Sequence, residues 1–82
     1  MSKIPRDINA KVLIAQLEKL GYFVIKQTRS HIRLENSNFA KLHRITIPNH
    51  NPIRIGILNN ILLDIADKME IQKKELVKEL FG

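Results

Sequence analysis

The chain contains no cysteine, so it forms neither disulfides nor thiolate metal sites, and an apolar core alone must hold it together. That composition suits a reducing cytoplasm. Aromatic residues are scarce, one tyrosine and three phenylalanines, so a platform that stacks several bases of a single strand is not expected. Acidic residues are few as well. Eight Asp plus Glu stand against 14 Lys plus Arg, a net charge of +6 that directs the chain towards a polyanion or an acidic protein surface. No stretch approaches the ~18 consecutive apolar residues of a membrane span. The opening Met1-Ser2-Lys3-Ile4-Pro5-Arg6-Asp7 lacks the apolar centre of a signal peptide. These absences predict a soluble, cytoplasmic chain, and its 82 residues suffice for one domain spanning 1–82 with one modest core.

What is present is a clear change of period along the chain. Ala10, Leu13, Ile14, Leu17 and Leu20 fall on one stripe of a helix, with Asp7 or Asn9 available to cap its start and Gly21 to end it. After Gly21 the period becomes two. Tyr22-Phe23-Val24-Ile25-Lys26-Gln27 and His31-Ile32-Arg33-Leu34-Glu35 read as strands around the polar turn Thr28-Arg29-Ser30. A third strand, His43-Arg44-Ile45-Thr46-Ile47, stops at Pro48, which has no backbone donor. Pro48-Asn49-His50-Asn51-Pro52 must then be a loop of limited backbone freedom. Leu58, Ile61, Leu62, Ile65 and Met69 predict a second helix from about Gly56 to Lys68, and Ile71, Leu76, Val77, Leu80 and Phe81 mark a short third. The expected fold is α+β, in the order α-β-β-β-α, with a three-stranded antiparallel sheet, helices on one face and a short C-terminal helix.

Alternation assigns the faces of that sheet. Ile32, Leu34, Ile45 and Ile47 belong to the core, which turns His31, Arg33, Glu35, Arg44 and Thr46 the other way. With Phe23 and Ile25 facing inwards, Lys26 joins the outer set. Lys26, His31, Arg33 and Arg44 are therefore expected on one open surface. Histidine is the side chain whose unperturbed titration lies nearest neutral pH, so a histidine among cations is either a solvated strand residue or a group that moves protons on a nucleic acid. The three histidines are spaced 12 and 7 residues apart, which matches no compact ligand motif, and no metal site is expected.

Four segments together resemble the HicA-type toxins of bacterial and archaeal toxin–antitoxin pairs. They are Leu17-Glu18-Lys19-Leu20-Gly21-Tyr22, Lys26-Gln27-Thr28-Arg29-Ser30-His31-Ile32-Arg33-Leu34, Ile45-Thr46-Ile47-Pro48-Asn49-His50 and Ile55-Gly56-Ile57-Leu58-Asn59-Asn60-Ile61-Leu62. Each is short, and the joint order and spacing carry the specificity. The resemblance implies a fold like the double-stranded-RNA-binding domain, cleavage of mRNA without metal or other cofactor, and silencing by a HicB-type antitoxin that covers the active site. The family's catalytic histidine stands in a Gly-Ser-His motif, which the match places on His31 as general base. Arg29 occupies the position of the motif glycine. A glycine in a hairpin turn often supplies a positive φ that arginine reaches only at a cost of about 1 kcal/mol or more, so the expectation is a strained or differently built turn, or an added phosphate contact.

Around His31, the residues Lys26, Arg29, Ser30, Arg33 and Arg44 are candidate RNA contacts. The cations would neutralise charge on the phosphate and Ser30 would orient the imidazole or the phosphate. The bland alternatives are a charged soluble face for the cations and a turn bond to neighbouring backbone for Ser30. His50 lies in the rigid loop, where a loop-holding role is favoured, and His43 is expected at a strand start without chemistry. Two further functions fit the same composition. A non-catalytic RNA-binding module would show salt-sensitive affinity and no cleavage products, and an adaptor for an acidic protein would show no RNA affinity.

Overall fold

The computed structural model describes residues 4, 6–38 and 41–82. It contains α1 (Ala10–Glu18), β1 (Phe23–Gln27), β2 (His31–Asn36), β3 (His43–Pro48), α2 (Ile55–Met69) and α3 (Lys73–Phe81). The strands form one antiparallel sheet in the order β1-β2-β3. This is the expected α+β architecture, with α2 one residue longer at each end than its apolar stripe indicates.

Asn9, rather than Asp7, caps α1, its side-chain oxygen accepting from the Val12 N–H at 2.8 Å. That bond satisfies one of the donors every helix start leaves open. The helix unwinds over Lys19–Gly21, where Gly21 has φ +103°. A Cβ at Gly21 would lie 2.1 Å from Asn38 Nδ2 and 3.2 Å from Asn36 Oδ1, so the turn requires glycine for both space and conformation. Asn36, fully buried at the end of β2, donates to the Leu20 carbonyl at 3.0 Å and accepts from the Asn38 N–H at 2.8 Å. Its amide thereby ties the end of α1 to the sheet.

The inner sheet face carries Ile32, Leu34, Ile45 and Ile47, all buried in one cluster with Leu13 and Leu17 of α1, Leu58, Leu62 and Ile65 of α2, and Leu76, Val77 and Leu80 of α3. The helices thus cover one face and leave the other open. α2 ends at Glu70 in a left-handed conformation, and α3 folds back to touch both α1 and α2. Among the described residues no helix is long and apolar enough to cross a membrane.

One strand departs from expectation. Phe23 and Ile25 are exposed, 46% and 42%, instead of facing the core, while Tyr22 just before the strand is 2% exposed. The phenol of Tyr22 reaches inwards to His43, so the next residue falls outwards, opposite Glu35. An irregularity in pairing between Val24 and Lys26 then absorbs one residue and restores Lys26 to the outer face, opposite Arg33. Lys26 stands where alternation puts it, but a bulge does the placing.

Candidate functional site

The turn between β1 and β2 positions the site. Gln27 pairs with Ile32, and Thr28 and His31 close a two-residue loop over Arg29 and Ser30. The Thr28 N–H donates to the His31 carbonyl at 2.8 Å. The Thr28 hydroxyl donates to that same carbonyl and accepts from the His31 N–H, both at 3.1 Å. Tight hairpin turns usually require positive φ at one or both central residues. Here only Asp7 and Glu70 combine a side chain with positive φ among the described residues, so Arg29 sits in an ordinary conformation and the expected strain is absent. From the other side, Asn49 donates its N–H to the Ser30 carbonyl at 2.9 Å and its Nδ2 to the Arg29 carbonyl at 3.4 Å.

Ser30 Oγ lies 2.9 Å from His31 Nδ1. A hydroxyl both donates and accepts, so this contact serves either imidazole tautomer and the imidazolium as well. His31, Lys26, Arg33, Thr28 and Thr46 line one depression of about 320 Å³ on the open sheet face. Register explains the grouping: Lys26 and Thr46 flank Arg33 on the neighbouring strands, and His31 is two residues before Arg33 on β2. Two cations, two hydroxyls and one imidazole therefore converge on a space open to solvent. Thr28 and Thr46 were not singled out in the sequence. Alternation had set Thr46 on the outer face without marking it as part of the site, whereas the role of Thr28 needed the closed turn.

The other candidates fall elsewhere. Arg29 and Ser30 are exposed at the turn tip. Arg44 shares the outer face but pairs through Nε with the Glu35 carboxylate, and it lines a separate hollow with Thr46 and the α2 residues Ile57, Asn60 and Asp64. His50 is exposed in the loop after β3, its backbone N–H donating to the Pro48 carbonyl at 2.9 Å. His43 opposes Asn36, at the other end of the β2–β3 pair from His31. There its Nδ1 meets the Tyr22 hydroxyl at 2.6 Å and its Nε2 meets Asp64 at 3.3 Å, linking the α1–β1 connection, β3 and α2. Burial, and secondarily the charge of Asp64, push the Tyr22 phenol far above its ordinary value. His43 thus acts as a structural strut between these three elements.

Fold and surface define a small α+β protein with a helix-covered sheet face, an open face, and a histidine–serine pair among cations at its edge. Residues 10–66, from the start of α1 into the last part of α2, match the HicA toxin family of bacterial toxin–antitoxin systems. The chain belongs to that family, and family membership makes it the toxin of a pair whose cognate antitoxin is its partner. Searches of curated proteins and of solved structures each found no match.

Proposed function

We propose that this toxin is an endoribonuclease that cleaves mRNA by acid–base chemistry without a metal ion, with His31 as the general base. The observation that carries the reading is the depression in which the imidazole, held at Nδ1 by Ser30, shares one space with Lys26 and Arg33. In the tautomer whose Nδ1–H donates to Ser30, the lone pair of Nε2 accepts the proton of a ribose 2′-hydroxyl. The 2′-oxygen then attacks the adjacent phosphorus. The O2′–P bond forms, the P–O5′ bond breaks, and the leaving 5′-oxygen takes a proton from solvent, giving a 2′,3′-cyclic phosphate and a 5′-hydroxyl. Throughout, Ser30 keeps its bond to Nδ1, so the ring need not rotate when it becomes an imidazolium.

Lys26 and Arg33, facing each other across β1 and β2, hold the non-bridging oxygens and oppose the extra negative charge at pentacoordinate phosphorus. The same cationic face would attract an acidic surface of the antitoxin, so one patch would serve substrate and inhibitor in turn. A complex that left His31 accessible to RNA would contradict this arrangement. The enzymatic reading is tested by comparing RNA cleavage and growth arrest for the wild type and His31→Ala at equal expression. The variant should lose about 10²- to 10⁴-fold in cleavage rate and arrest growth weakly. Equal toxicity would reject the catalytic assignment, and tight RNA binding without products would favour a non-catalytic binding module.

A further inference from the structure

The depression explains which groups meet an RNA phosphate, but not how an exposed strand end aims its imidazole. His31 is the first residue of β2 and follows a turn with no glycine, so its backbone would be expected to fray. Yet both peptide groups that flank its Cα are bonded to one residue. The His31 N–H donates to the Thr28 hydroxyl, and the His31 carbonyl accepts from both the hydroxyl and the N–H of Thr28. Bonds on either side of one Cα limit both φ and ψ, and these two angles set the direction of the Cα–Cβ bond. Thr28 also lines the depression itself.

We propose that Thr28 is a positioning residue for His31: its hydroxyl clamps the peptide groups before and after the histidine, aims the ring into the depression and closes the turn without a glycine. The proposal rests on the ribonuclease reading of this site for its catalytic consequence, but not for the clamp. The same hydroxyl explains how Arg29 occupies the turn. The His31 N–H finds an acceptor on a side chain, so the backbone does not need the positive φ that favours glycine. Asn49 contributes from outside by its two bonds to the turn carbonyls, one of them long, and its side chain is expected to matter less.

The test compares the wild type with Thr28→Val, which keeps the shape and loses the hydroxyl, and Thr28→Ser, which keeps the hydroxyl. Thr28→Val should lower kcat by about 10- to 100-fold with little change in KM for RNA or in the urea midpoint. Thr28→Ser should restore kcat. Hydrogen exchange supplies a readout independent of cleavage, and its wild-type arm is independent of any variant's folding. In the wild type the His31 amide should be protected although its residue is exposed, and in Thr28→Val that protection should be lost. A wild-type His31 amide that exchanges as fast as an open turn would overturn the proposal. So would wild-type kcat in Thr28→Val, or a Thr28→Ser variant as impaired as Thr28→Val. If the wild type and His31→Ala cleave alike, His31 is not the base, and if neither yields products the ribonuclease reading falls; in both cases the exchange data still decide whether Thr28 holds His31.

Discussion

Tyr22 shows how one residue can redirect a strand and report on it. Its ring is buried and its hydroxyl contacts His43, so the neutral phenol is the form the fold accommodates. An unfolded tyrosine ionises near pH 10, whereas the folded one holds its proton more tightly because burial and Asp64 disfavour the phenolate. Its contribution to stability is therefore complete below about pH 10 and is lost as pH rises through the raised native value. Since the chain has a single tyrosine, the rise in phenolate absorbance reads this group alone. The native protein should show phenolate only well above pH 10 or on alkaline unfolding. Tyr22→Phe should lower stability by about 1–3 kcal/mol and flatten the alkaline decline seen in urea titrations repeated at rising pH. None of this was legible in the residues 22–25, an unbroken apolar run in which alternation is silent about which side chain turns in.

At the scale of elements, β2 and β3 were readable because polar and apolar residues alternate without interruption from His31 to Glu35 and from His43 to Ile47. Burial follows that alternation residue by residue. β1 was not readable in the same way, since a bulge inserts a residue without leaving a compositional mark and its side chains are exposed on both faces. The hairpin turn gives the sharper contrast. A motif glycine replaced by Arg29 predicts strain, but the turn closes through a threonine hydroxyl and arginine is accommodated at ordinary φ. Arg29→Gly should therefore bring no relief. It should lower stability by about 0.5–1 kcal/mol through added freedom of the unfolded chain, measured from the urea midpoint. A gain in stability would show that position 29 is strained after all.

For the whole molecule, a net charge of +6 matters through where it lies. Lys26 and Arg33 meet at the depression, whereas Arg44 on the same face is paired with Glu35. Binding to single-stranded RNA should weaken with salt, and Lys26→Ala or Arg33→Ala should each reduce the slope of log affinity against log salt by about 0.7, as expected for one lost phosphate contact. Arg44→Ala should change that slope less, and an equal effect from all three would contradict the separation of the two hollows. By itself the sequence determined the element order, the inner faces of β2 and β3 and the outward setting of His31 and Arg33, because those follow from periods of 3.6 and two acting over neighbouring residues. Only the tertiary structure decided that Tyr22 is buried and Phe23 exposed, that a bulge returns Lys26 to Arg33, and that Thr28 and Asn49 hold the turn at Arg29. Each of these depends on which backbone donors and acceptors meet across strands and loops, a matter of pairing in space that the chemistry of successive residues does not encode locally.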